Sequence, residues 1–107
     1  MRSRLKVALT IAAAWAIAPA AAQSPPFAQE QIQRGAATFA EYCTPCHGER
    51  MSNPELFNLK TFPPDQRARF INSVTNGKNA MPPWRGQLHS DDIEALWSYV
   101  VAGEKGP

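Results

Sequence analysis

Cys43-Thr44-Pro45-Cys46-His47 is the stretch of this 107-residue chain whose reading decides the fold. Two cysteines three apart with a histidine directly after them form the C-x-x-C-H pattern of covalent haem attachment. Each thiol can form a thioether to one haem vinyl group, and the histidine is then held under the iron as proximal ligand. Only three letters in the five are fixed, so the surroundings have to decide between this and its rivals. A thioredoxin-like redox pair needs a strand before the motif and a βαβ neighbourhood, and the sequence offers neither. A disulfide between the only two cysteines is open to a secreted chain, but so tight a loop constrains little of it. A zinc site would have to recruit Cys43, Cys46, His47 and His89, and the adjacent pair Cys46-His47 is poorly spaced for a tetrahedron.

Far upstream of the motif, the first 22 residues read as a secretory signal peptide. Arg2, Arg4 and Lys6 form a positive start, Val7 to Ala18 is an uncharged apolar run, and Pro19 breaks it before the small residues Ala20-Ala21-Ala22. Cleavage is expected before Gln23. The run is short of the roughly 20 apolar residues that span a bilayer, so stable membrane insertion is not expected. Arg2 and Arg4 are not adjacent, which favours export of the unfolded chain and addition of the cofactor afterwards. The leader also takes three of the eleven basic residues with it, leaving eight against nine acidic ones and a formal charge of minus one on residues 23–107. A chain without a concentrated basic face is not a nucleic-acid binder.

The remaining 85 residues form one domain, small enough to lean on a prosthetic group for its core. Ala28 to Tyr42 has few breakers and places Ile32, Ala36, Phe39 and Cys43 along one helical face, so a first helix delivers the first cysteine to the interior. His47 to Pro64 reads as irregular loop with no element beyond a turn. A second helix is expected to begin at Pro64 or Asp65, to carry Phe70, Ile71 and Val74 inward, and to end near Asn76-Gly77. Lys78 to Gln87 is a loop. A third helix is expected from the cap Ser90, with Asp91 and Asp92 in its first turn, burying Ile93, Leu96, Trp97 and Val100 before Gly103 stops it.

These features together resemble the class I cytochromes c over nearly the whole length of the chain after its leader. Gly35, Phe39 and Cys43 match that family's glycine, aromatic and cysteine at steps of four, and Leu96 and Tyr99 match the leucine and aromatic of its C-terminal helix. The resemblance implies an all-α cytochrome c fold, with three main helices and loops wrapped around one covalent haem. It also implies that the N- and C-terminal helices cross where the glycine allows close approach. Pro54, followed by Glu55 and Leu56, resembles the family's Gly-Pro-x-Leu loop, whose proline carbonyl accepts a hydrogen bond from the proximal histidine; Asn53 replaces the glycine, a mild departure because asparagine tolerates left-handed geometry.

Met81 is the expected sixth ligand, because a methionine followed by proline after a middle helix is the family's distal signature. A thioether is a soft donor that favours ferrous iron, so a histidine and methionine pair raises the reduction potential relative to two histidines. Met51, only four residues after His47, would have difficulty reaching the opposite haem face, and His89 sits beside a helix start where a solvated role suits it better. Tyr42, Trp84 and Trp97 are expected to be core.

With haem c bound through Cys43 and Cys46, and with iron held by His47 and Met81, no coordination position remains for substrate. The expectation is therefore an electron carrier and not an enzyme. It would be periplasmic and monomeric, taking single electrons from a dehydrogenase and passing them to another cytochrome or an oxidase. The Met81-Pro82-Pro83-Trp84 loop resembles those of small cytochromes that serve quinoprotein alcohol dehydrogenases, which points to a quinoprotein donor. Two alternatives are the haem subunit of a stable oxidoreductase complex, and a haem sensor or peroxidase in which Met81 is labile.

Overall fold

A computed structural model describes residues 27–107. The signal peptide expected over residues 1–22 lies outside them. The described residues fold into helices α1 (Gln29–Tyr42), α2 (Thr44–His47), α3 (Arg67–Asn76) and α4 (Ser90–Ala102), with short 3-10 turns at Glu49–Met51 and Leu59–Thr61. Among them there is no strand, only isolated bridges from Lys78 to Met81 and from Arg85 to Leu88.

Helix α1 starts without a side-chain cap. The extended Ala28 offers its carbonyl to the amides of Gln31 and Ile32 at 3.0 and 3.1 Å, and Glu30 complements the positive end of the dipole. It buries Gly35 and Phe39, as its apolar spacing requires. At Cys43 the chain turns without a linker into the single turn of α2. The Cys43 amide still bonds the Phe39 carbonyl at 2.8 Å, and Pro45 sits in the first turn of α2, where its missing N–H costs nothing.

Helix α4 forms the centre of the molecule, with Ile93 and every residue from Ala95 to Val100 buried. One side packs on α1. A Cβ built on Gly35 would meet the Ala95 carbonyl and lie 2.8 Å from Tyr99 Cβ, so the two backbones approach as closely as a hydrogen side chain allows. Just beyond, the rings of Phe39 and Tyr99 lie with centroids 5.3 Å apart. The other side of α4 meets α3, where Trp97 packs against Phe70 at 5.3 Å and Phe62 at 5.7 Å. Burying such side chains contributes about 1.5–3 kcal/mol each. Two ion pairs staple the surfaces of these seams: Arg34 to Asp92 at 2.7 Å between α1 and α4, and Arg67 to Glu94 between α3 and α4.

Two boundaries differ from those expected. Helix α3 begins at Arg67, not at Pro64 or Asp65, because Pro63 to Gln66 closes as a separate turn with the Gln66 amide on the Pro63 carbonyl at 3.1 Å. The cap of α4 is His89, one residue before Ser90. Asp92 falls at the third helical position, where its carboxylate accepts the His89 amide at 3.0 Å. The stretch from His47 to Pro64, expected to hold no element beyond a turn, carries the two short 3-10 turns Glu49–Met51 and Leu59–Thr61.

Candidate functional site

The contacts of α4 with α1 and with α3 do not fill the whole interior. Between these helices and the loops lies a cavity of about 320 Å³, walled by apolar side chains such as Phe39, Leu59, Phe70, Val74, Leu96 and Val100. Cys43, Cys46, His47 and Met81 all line it. The four site residues expected from the sequence are thus brought to one chamber, three on one corner and the methionine on a separate loop.

The corner is built by the α1–α2 junction. Cys43 is half-buried and Cys46 exposed, and the two thiols are not joined. Burial, then the neighbouring Cys46, push the Cys43 thiol up to about 11, so it is protonated at neutral pH. Burial lowers the His47 imidazole, which keeps it neutral, the form that has a lone pair to give a metal. Its Nδ1 is shut away from solvent with no partner, which leaves Nε2 as the nitrogen available toward the cavity. The hydrogen bond that the resemblance assigns to the Pro54 carbonyl is therefore not made. Asn53 ties the loop back in its place: its side-chain amide donates to the Cys46 carbonyl at 2.9 Å and its backbone amide to the His47 carbonyl at 2.9 Å, while its Oδ1 accepts from the Glu55 amide at 3.0 Å. The short spacing between His47 and Pro54 explains the difference, since the chain spends it on this turn.

The loop bearing Met81 is held against the end of α3. Lys78 and Met81 exchange both backbone bonds, at 3.0 and 2.9 Å, around Asn79 in left-handed geometry. The amides of Trp84 and Arg85 then bond the carbonyls of Val74 and Thr75 at 2.9 and 3.2 Å, satisfying acceptors that the last turn of a helix leaves open. Gly77 allows this fold-back. It has φ of 79°, and a Cβ there would sit 2.8 Å from the Met81 carbonyl.

Met51 is 1% exposed in the core and does not line the cavity, and neither does His89, which caps α4. Tyr42 and Trp84, expected simply as core, are half-buried on the cavity wall, ring against ring at 5.5 Å. Sequence reasoning missed the Leu56, Phe57 and Arg69 part of the wall. Leu56 and Phe57 are 62% and 45% exposed, unusual for side chains of that size. Adjacent large apolar residues in a stretch read as loop are the signal that could have found them.

The chamber fits a haem on its own chemistry: an apolar interior, two thiols and a neutral imidazole on one corner, and a thioether on another wall. Among the described residues no three His, Cys, Asp or Glu are placed to hold a metal ion by themselves, and His89, which the zinc arrangement needs, does not line the cavity. Comparison with known proteins agrees. The family model described as "Cytochrome C oxidase, cbb3-type, subunit III" matches residues 30–100. Cytochrome c6 of Limnospira maxima is 37% identical over 86 residues, covering 70% of this chain and 97% of that one. Among solved structures, cytochrome c6 of the diatom Phaeodactylum tricornutum superposes with a TM-score of 0.53 at 29% identity, over 66% of this chain and 91% of that one. The c-type cytochrome NirC does so at 0.55 and 29%, over 77% and 100%.

Proposed function

Because the chain belongs to the monohaem class I c-type cytochromes, in the cytochrome c6 and cbb3 subunit III family, we propose that it is a periplasmic shuttle whose single haem c is ligated by His47 and Met81. The chain is a small c-type cytochrome, an electron carrier with covalent haem. The observation that supports the ligand assignment is the gathering of Cys43, Cys46, His47 and Met81 on one apolar cavity while Met51 and His89 are excluded from it.

Haem supplies a single iron that accepts and releases one electron. The chain's own residues make that exchange reversible. Cys43 and Cys46 would each hold the haem through one thioether. His47 would offer the lone pair of a neutral imidazole from the α2 corner. Met81 would offer a soft sulfur that favours the reduced state, from a loop fastened to α3 by two backbone bonds. Phe39, Val74, Leu96 and their neighbours exclude water. With His47 and Met81 both holding the iron, the protein would leave substrate no entry to the metal. Export by the leader, with cleavage before Gln23, places the motif where haem is attached; among the described residues no helix is long and apolar enough to cross a membrane. The donor is a dehydrogenase of the quinoprotein type, on the resemblance of the Met81-Pro82-Pro83-Trp84 loop, and the acceptor another cytochrome or an oxidase.

The test is the visible spectrum of the secreted protein, oxidised and reduced, with a pyridine haemochrome assay and a denaturing gel stained for haem. Attached haem with the weak red band of methionine on ferric iron is expected. Attached haem without that band, together with carbon monoxide binding at neutral pH, would overturn Met81 as ligand and favour a sensor or peroxidase. Stopped-flow reduction by a quinoprotein alcohol dehydrogenase no faster than that of an unrelated cytochrome removes the donor. The matched family model is that of an oxidase subunit, which favours one second reading, a haem subunit of a stable oxidoreductase complex. Elution of the native protein from size exclusion with a large complex, and not as a small monomer, would establish it.

A further inference from the structure

We propose that Arg69 pairs with the carboxylate-bearing edge of the haem, a role that rests on the haem reading above. Among the lysines and arginines, two line the cavity, Arg69 and Lys78. Lys78 belongs to the turn that carries Met81 and is tied to it through both backbone bonds. Arg69 is on α3, whose main packing partner is α4, whereas the cysteines sit at the α1–α2 corner. Haem bears its two vinyl groups and its two carboxylate side chains on opposite edges. Thioethers at Cys43 and Cys46 therefore direct the carboxylates toward the wall away from that corner, where α3 and the Phe57–Phe62 segment stand.

The state of the Arg69 side chain is the second observation. Arg67, two residues earlier on α3, is bonded to Glu94. The Arg69 guanidinium makes no ion pair or hydrogen bond among the described residues. Aromatic rings hold it instead, its Cζ lying 4.6 Å from the centroid of Phe62 and 5.9 Å from that of Phe57. Stacking of this kind restrains the guanidinium plane and leaves its N–H edge free, the edge whose fork matches a carboxylate in two parallel bonds. A carboxylate at the mouth of an apolar chamber needs such a partner, because leaving it unpaired there is costly. The pairing also has an electrical consequence. A fixed positive charge beside the cofactor favours the form of the iron with the smaller positive charge, so Arg69 raises the reduction potential.

Redox titration of the intact holoprotein tests this, comparing wild type with Arg69→Gln, Arg69→Lys and Lys78→Gln, each sample checked for attached haem by stain and spectrum. Arg69→Gln is expected to shift the electron equilibrium against a fixed reference couple by about threefold or more toward the oxidised form, tenfold being about 59 mV for one electron. Arg69→Lys should recover most of that shift, and Lys78→Gln should shift it less than Arg69→Gln does. A potential unchanged in Arg69→Gln overturns the role, as does a shift in Arg69→Lys or Lys78→Gln as large as that in Arg69→Gln. A wild-type protein without haem overturns the haem reading and this role with it, whereas attached haem with an unmoved potential removes Arg69 alone. Should Arg69→Gln fail to retain haem, a crystal structure of the wild-type holoprotein decides: a guanidinium nitrogen within about 4 Å of a haem carboxylate oxygen supports the pair, and a longer separation overturns it.

Discussion

At the scale of single residues, identity and position separate cleanly. Gly35 was legible as a family match in the sequence, but its physical reason is the Ala95 carbonyl and Tyr99 Cβ that a methyl group would strike. Gly35→Ala should force α1 away from α4 and destabilise the holoprotein by about 1–3 kcal/mol, the usual cost of overpacking, read as a lower denaturant midpoint. Met81 and Met51 show the same separation. Spacing from His47 and the following proline set Met81 apart from Met51 in the sequence, and the fold adds that Met51 is sealed in the core while Met81 lines the cavity. Met81→Leu keeps the volume and removes the sulfur. The red band should vanish, carbon monoxide should bind the reduced protein, and the potential should fall by the order of a tenth of a volt, a fraction of the roughly 0.8 V that axial ligands command. His47 Nδ1 was not legible at all, because its lack of a partner depends on how Asn53 closes the turn after the motif.

Among the elements, α1 and α4 were readable because each has a long apolar face and a clear stop, and periodicity then fixes what is buried. The start of α3 was not, since proline and aspartate serve a tight turn as well as a first helical turn, and here they make the turn. The cap of α4 slipped by one residue for a related reason: Asp92 bonds the His89 amide, and serine loses the competition for the cap. That aspartate gives α4 a pH dependence. Its carboxyl is held below the ordinary value by the Arg34 hydrogen bond first and by the His89 amide second. A carboxyl lower in the folded than in the unfolded state stabilises the protein above its unfolded pKa, and this contribution fades as pH drops through the folded one. Asp92→Asn should therefore cost stability at neutral pH, within the roughly 1 kcal/mol of pairs with an exposed partner, and the gap to wild type in chemical melts should close in strong acid. The loop at the end of α3 makes a sharper demand. Gly77→Ala meets both a left-handed backbone, costing about 1–2 kcal/mol, and the Met81 carbonyl. The expected result is a loosened Met81, seen as a weaker red band and partial carbon monoxide binding, while haem attachment at the far corner is untouched.

For the molecule as a whole, the cavity is the feature that sequence reading could announce but not shape. Helix α4 packs on α1 along one side and on α3 along the other, and between these helices and the loops the side chains leave a cavity of about 320 Å³. Cys43→Ala combined with Cys46→Ala, which denies covalent attachment, should leave a chain that keeps much of its far-ultraviolet helix signal but loses near-ultraviolet structure and binds a hydrophobic dye. A cooperative melt equal to that of wild type would count against the haem as part of the core. The seam between α1 and α4 has one further consequence, and it concerns time. Ribosomal synthesis runs from α1 to α4, so the cysteines exist before the helix that will bury their neighbours. About forty residues separate His47 from Ser90, and at roughly 5–20 residues per second their synthesis takes a few seconds. Throughout that interval α1 has no partner to pack against, and the thiols it delivers stay open to whatever chemistry reaches them first.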